Sequence, residues 1–220
     1  HDSNPIKIGL GQLKGRGAKI VSINPIRTGY SAIADEWLGI TPGTDGKFIL
    51  SLVHELLRAG KVDADYLSRY TNAPVLVIQD PGNAEDGLFA RDEDGNLLCW
   101  DRKLDKLISF LDPACTPAMK GEYTLPDGRT ARPVFELLAE RYLDSQYSPD
   151  VAAYETGLPA DTIRRIAAEI AHTAFEEEIV IEQAWTDWAG RKHDKMVGRP
   201  VAIHAMRGIS AHSNGFHTCR

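Results

Sequence analysis

Three short runs in this 220-residue chain combine residue types that can hold an anion or a planar heterocycle. They are Asp2-Ser3-Asn4-Pro5, Asn24-Pro25-Ile26-Arg27-Thr28 and Pro42-Gly43-Thr44-Asp45. The first and third stand ahead of segments that read as helices, where free N–H groups and the macrodipole favour negative charge. Arg27 adds a planar fork suited to phosphate. Asp45 can accept two hydrogen bonds from an amidine-like edge such as guanine N1 and N2. Gly43, with no side chain, lets the backbone approach a ring closely. Each run taken singly is also ordinary turn and capping chemistry. Neither GxGxxG nor GxxxxGK followed by Ser or Thr occurs, so the dinucleotide fingerprint and the P-loop are both missing.

A second group lies at the far end. His212, His217 and Cys219 make an H-x4-H-x-C run with His204 nearby, a pattern that zinc could use. No fourth ligand is placed, and the preferred reading puts His212 in a ligand loop and Cys219 in the core. Glu176-Glu177-Glu178 reads as a solvated charge run, and Asp35 and Glu36 as surface or capping residues. No Ser-His-Asp order can be argued, because no nucleophile-elbow pattern is present. The three cysteines, Cys99, Cys115 and Cys219, are sparse and odd in number. That usage fits a reducing compartment without a disulfide framework, and the lack of CxxC argues against a cysteine-built zinc or iron–sulfur site.

The runs are positioned by alternating elements. Asn4-Pro5 starts a helix that Gly15 and Gly17 stop. Ala18 to Ile23 is a β-branched run that reads as a buried strand, broken by Asn24-Pro25. Thr28 caps a short helix through Ala34, and Glu36 to Ile40 is a second strand. Thr44 or Asp45 then caps an amphipathic helix with Phe48, Ile49, Leu52, Val53, Leu56 and Leu57 on its apolar face, ended by Gly60. A helix over Asp63 to Tyr70 precedes a third strand at Pro74 to Gln79. Asp94-Gly95-Asn96 and Pro126-Asp127-Gly128 mark two hairpins. Helices follow at Val134 to Tyr142, from Ser148-Pro149-Asp150, and from Pro159-Ala160-Asp161. A fourth strand spans Glu178 to Ala184, and a last helix begins over Pro200 to Met206. This order implies an α/β fold: a doubly wound, mostly parallel Rossmann-like sheet with a β-hairpin-rich insertion. The expected division is 1–82, 83–131 (the insertion) and 132–220.

Composition bounds the function classes. Hydrophobic residues make up 43%, enough for a core. Lys plus Arg total 25 against 31 Asp plus Glu, for a net charge of -6, which disfavours a nucleic-acid partner. There is no apolar run of transmembrane length, the polar start is not expected to be a signal peptide, and without an initiator Met the first residue reads as a cut end.

The run from Gly17 to Leu57, with its Asn-Pro-x-Arg-Thr and Pro-Gly-Thr-Asp at this spacing, closely resembles the dimethyl sulfoxide reductase superfamily of molybdopterin oxidoreductases. Asp2-Ser3-Asn4-Pro5, Tyr147 to Phe175 and Arg199 to Arg220 resemble further segments of that family. Within it, the insertion and Arg207-Gly208-Ile209-Ser210-Ala211-His212-Ser213-Asn214-Gly215 are most similar to the sulfur-oxyanion branch. That branch holds sulfite dehydrogenases and the thiosulfate, polysulfide and tetrathionate reductases.

The resemblance implies a molybdenum or tungsten ion held by two molybdopterin guanine dinucleotides, one of them gripped here. Ser3 and Asn4 would lie by its phosphates or pterin. Asn24, Pro25, Arg27 and Thr28 would surround the ribose and guanine, and Gly43, Thr44 and Asp45 would complete that pocket. Arg207, Ser210 and His212 would approach the metal-proximal part. Trp185 and Trp188, flanking Asp187, could line the funnel to the metal or simply pack. No catalytic residue and no protein metal ligand is assigned. The family's [4Fe-4S] cysteine cluster, metal-ligand segment and second pterin domain have no counterpart in this chain, which is therefore expected to be inactive alone. Partners implied are the rest of a catalytic subunit, iron–sulfur and membrane-anchor subunits, and electron transfer through them, in the cytoplasm or peripheral to a membrane. The alternatives are a nicotinamide-dependent dehydrogenase domain and a non-catalytic interaction domain that keeps the fold.

Overall fold

The computed structural model describes residues 4–27, 29–187, 190–205 and 207–219, without the side chains of Asn4, Pro5, Tyr30 and Arg207. The chain divides into two compact units, His1–Ala59 with Ser145–Arg220, and Gly60–Asp144. In chain order the first unit contributes α1 (Asn4–Gly15), β1 (Val21–Ile23), β2 (Glu36–Leu38) and α2 (Asp45–Arg58). The second unit holds α3 (Ala64–Tyr70), β3 (Leu76–Gln79), β4 (Leu98–Asp101), β5 (Lys106–Ser109), β6 (Tyr123–Thr124), β7 (Thr130–Pro133) and α4 (Val134–Tyr142). The first unit resumes with α5 (Pro149–Thr156), α6 (Ala160–Glu176), β8 (Ile179–Ile181), β9 (Trp185–Thr186), β10 (Lys192–His193), β11 (Met196–Gly198) and α7 (Gly215–Cys219).

In the first unit, α2, α5 and α6 enclose a core of Leu38, Ile40, Phe48, Leu52, Ala152, Leu158, Ile163, Ile166 and Ala167. The spacing explains it. Ile163, Ile166, Ala167 and Ala171 recur at helical intervals and are the buried residues of α6. On α2 the buried stripe is Phe48, Ser51, Leu52 and His54. Gly157, at φ 74, caps α5 in the left-handed region, which releases the chain towards Leu158 and the start of α6.

β1 and β2 pair in parallel, from Val21 opposite Glu36 to Ile23 opposite Leu38. The Asp35 carboxylate accepts from the Ile20 N–H at 2.8 Å and lies 2.9 Å from Lys14 Nζ. The Ile20 N–H, and then Lys14, hold this carboxyl below its ordinary range.

The second unit is built on antiparallel pairing. β7 lies between β3 and β6, and β4 pairs with β5. Leu76, Ile78, Ala90, Leu98, Leu125 and Ala131 fill its core. Both expected hairpin turns are present. Gly95, at φ 83, donates to Asp92 O at 3.0 Å, and Gly128, at φ 88, donates to Leu125 O at 2.9 Å.

The mixed α/β character holds, but the described strands do not form the expected doubly wound parallel sheet. Among them only β1 and β2 run parallel. β3 is antiparallel to β7, the strand that the turn at Asp127-Gly128 also pairs antiparallel with β6. β8 pairs antiparallel with β11, and all three of its residues are exposed. A short apolar run has the same appearance whichever partner it finds, so the strands were legible and their pairing was not. Two helices also differ. Gly29–Ala32 is a single 3-10 turn, with Thr28 outside the described residues. Residues 200–205 are not helical; Ala202, Ile203 and Ala205 are exposed, so no packed face rewards a helix there. No helix among the described residues is long and apolar enough to cross a membrane.

Candidate functional site

Because β1 and β2 are parallel, the loops that follow them leave the same end of the pair. Asn24 begins the first loop. Its N–H donates to Leu38 O at 3.1 Å, and its side-chain Oδ1 accepts from the Ile26 N–H at 3.0 Å, an Asx turn that carries the chain through Pro25. Asn24, Pro25 and Arg27 are all exposed.

Trp37, on β2, is the residue that the sequence reading missed. Its indole Nε1 donates to Asn24 O at 2.9 Å, and the Arg27 guanidinium stands 6.0 Å over its ring. The ring also lies across Gly39, where an added Cβ would come 2.8 Å from Cη2. A Trp one residue before a Leu-Gly pair carries no sequence signal of its own. Only the parallel register puts it beside Asn24. Trp37→Phe is expected to cost about 1 kcal/mol, the worth of one hydrogen bond. Gly39→Ala is expected to cost more, since the whole ring must move. Urea titration of the two variants checks the order.

The second loop is fixed from two sides. The Thr41 N–H donates to Thr156 O at 2.9 Å, at the end of α5. On the other side Asn214 Nδ2 donates to Gly43 O at 2.9 Å. Gly43 has φ 82, a left-handed conformation natural to glycine, and a Cβ there would lie 3.7 Å from His212 Nδ1. Thr218 of α7 lies against Gly46 of α2 in the same way. Gly215 makes this approach possible, because a Cβ on it would fall 2.2 Å from Ser210 O.

Thr44 occupies the N-cap position of α2 without capping it. Its hydroxyl donates back to Thr41 O at 2.7 Å and makes no capping bond to the first turn. The N–H groups of that turn are therefore not taken by Thr44. Asp45 follows at the first helical position, half-buried, with no hydrogen-bond or ion-pair partner among the described residues.

Of the expected site residues, Gly43 and His212 are thus brought near each other, with Thr44 and Asp45 following Gly43 in the chain. Asn24, Pro25 and Arg27 stand at the same end of β1 and β2, linked through Trp37. No hydrogen bond among the described residues joins them to Gly43–Asp45. Ser210 and Arg207 lie in the 3-10 turn Arg207–Ser210. Asn4 begins α1, and Ser3 and Thr28 lie outside the described residues. Among the described residues no three His, Cys, Asp or Glu side chains come together as a metal site, so His212, His217 and Cys219 do not converge. Trp185 stacks on His193, centroids 4.6 Å apart, and His193 Nε2 lies 3.1 Å from an Asp187 carboxylate oxygen; Trp188 is outside the described residues.

No family model matches the chain. Its sequence is 48% identical, over its whole length, to a sulfite dehydrogenase subunit of Allochromatium vinosum. It is 32% identical over 74% of its length to the formate dehydrogenase-O major subunit of Escherichia coli. The chain spans 24% and 15% of these two proteins. Acetylene hydratase from Pelobacter acetylenicus superposes with TM-score 0.41 at 20% identity, over 76% of this chain and 14% of that one, too loose a fit to argue from.

Proposed function

Because this chain belongs to the dimethyl sulfoxide reductase superfamily of molybdopterin oxidoreductases, we propose that it grips the guanine end of a molybdopterin guanine dinucleotide. The carrying observation is the half-buried Asp45 carboxylate, partnerless among the described residues, at an uncapped helix start. The residues present fit such a group. A carboxylate for the N1 and N2 donors, the N–H groups of that helix start, a glycine held open beside His212, and an exposed guanidinium are all at one end of β1 and β2.

Asn24, Pro25, Arg27 and Thr28 would hold the ribose and guanine together with Gly43, Thr44 and Asp45. Ser3 and Asn4 would serve its phosphates or pterin, and Arg207, Ser210 and His212 the part nearer the metal. Residues 83–131 would form an insertion between halves 1–82 and 132–220. When bound, the cofactor supplies two-electron redox chemistry at its metal, and this chain's residues contribute binding and orientation.

The parent activity we propose is oxidation or reduction of a sulfur oxyanion such as sulfite. The longer protein would carry a [4Fe-4S] cluster and pass electrons to iron–sulfur and membrane-anchor partners, cytoplasmic or peripheral to the membrane. What supports the sulfur branch is the 48% identity to a sulfite dehydrogenase over the whole chain.

Guanosine monophosphate is expected to raise the melting temperature of the chain, with NAD inert. At one hundred times its Kd a ligand adds about 2.7 kcal/mol. For a chain of this size that is a shift of roughly 5–10 °C. A shift with NAD alone would support a nicotinamide enzyme. No shift with either would leave an interaction domain.

A further inference from the structure

Cys99 and Cys115 belong to the second unit and take no part in the proposed grip. Cys99 is fully buried on β4, and Cys115 is half-buried on the segment that returns beside that strand. The return is held by backbone pairing: Arg102 N–H to Thr116 O at 2.9 Å, and Ala118 N–H to Trp100 O at 2.8 Å. The buried Asp101 carboxylate adds a third tie, accepting from the Thr116 N–H at 2.9 Å while its other oxygen takes the Lys103 and Leu104 N–H groups. Both cysteines thus ride on backbone that cannot drift apart easily. Their sulfurs are 3.2 Å apart, and both are free thiols. A disulfide needs about 2.05 Å, so closure takes only about 1 Å of movement.

We propose that Cys99 and Cys115 form an oxidisable dithiol, closed to an intramolecular disulfide by a small-molecule disulfide such as oxidised glutathione. The half-buried Cys115 thiolate attacks the oxidant, forming a mixed disulfide and releasing one glutathione thiolate. Cys99, deprotonated in turn, attacks Cys115 Sγ, and the second glutathione leaves. Two protein thiols and one oxidised glutathione become one protein disulfide and two reduced glutathiones, with both protons passed to the leaving thiolates. Burial pushes both thiols above their ordinary pKa, so the reaction is slow at neutral pH and faster in mild alkali. The closed form locks the 115–118 return against β4.

The test uses the Cys219→Ser chain, so that only two thiols remain. It is incubated with oxidised glutathione at about pH 8, freed of glutathione, then unfolded in the presence of an alkylating agent and analysed by mass without reduction. The expected product is lighter by two hydrogens, takes up no alkylating agent, and yields a cross-linked peptide joining Cys99 and Cys115. Its melting temperature rises by several degrees, as closing a loop of this length predicts. Dithiothreitol restores both alkylatable thiols and the original melting point. In Cys115→Ser, whose altered side chain is not fully buried, mass loss and thermal shift should both vanish. A persistent glutathione adduct on Cys115 with Cys99 still alkylatable would overturn the proposal. So would cross-linking that occurs only after the chain is unfolded, or a thermal shift retained in Cys115→Ser.

Discussion

Replacing Asp45 by Ala is expected to weaken guanosine monophosphate binding by tenfold to a hundredfold and to leave adenosine monophosphate binding unchanged. A carboxylate facing guanine accepts from N1–H and N2–H at once, and hydrogen bonds to a charged group are worth about 1.5–3 kcal/mol. Adenine offers no matching donor pair, so the change removes a preference without removing general nucleotide affinity. The local structure makes the variant interpretable. Asp45 has no partner among the described residues, so its loss leaves no buried group orphaned. The helix loses only the favourable charge at its N-terminus, about 0.3–1 kcal/mol. Asp45→Asn keeps the shape and one acceptor, and is expected to fall between wild type and Ala. Titration calorimetry with both nucleotides decides it. An equal loss for guanine and adenine would remove Asp45 from the base, and no loss for either would move the guanine site elsewhere.

Phe48→Ala is expected to destabilise the first unit by about 3–5 kcal/mol, the range for deleting a buried aromatic ring. Phe48 is 2% exposed, one turn into α2, and sits in the cluster that joins that helix to Leu38, Ile40 and the α5–α6 pair. Its loss opens a cavity under the stretch of helix that follows Gly43, Thr44 and Asp45. Nucleotide affinity should therefore fall together with stability, in contrast to Asp45→Ala. Urea unfolding followed by far-ultraviolet circular dichroism measures the first effect. Tyr154→Ala serves as control: it lies on α5 but is 93% exposed, and is expected to change stability by less than about 0.5 kcal/mol.

What could be read in advance followed the range of the interactions involved. Val134 to Tyr142 forms α4 with the expected limits, and Asp63 caps α3 by accepting from the Tyr66 N–H. Those outcomes depend on side chains within a turn of one another. The hairpins at Asp94-Gly95-Asn96 and Asp127-Gly128 were equally visible, since a tight turn is chosen by its own residues. The cap of α2 was misread. Thr44 has the right residue type, but its hydroxyl turns back to Thr41, whose backbone is itself tied to Thr156. One local bond of the hydroxyl thus replaced another, and residue type alone does not say which.

The sequence by itself determined where most helices and turns lie, that the chain has a core, and which superfamily motifs it carries from Asn24 to Asp45. The tertiary structure alone decided which strand lies beside which, and so removed the doubly wound parallel sheet from the described residues. It alone set Trp37 under Arg27, brought Asn214 to Gly43, and placed Cys99 beside Cys115. Turns and helices are stabilised by neighbours in sequence, so they leave a mark in the local pattern. Strand partners and loop contacts are chosen by the free energy of burying distant surfaces together, which no short window of sequence records.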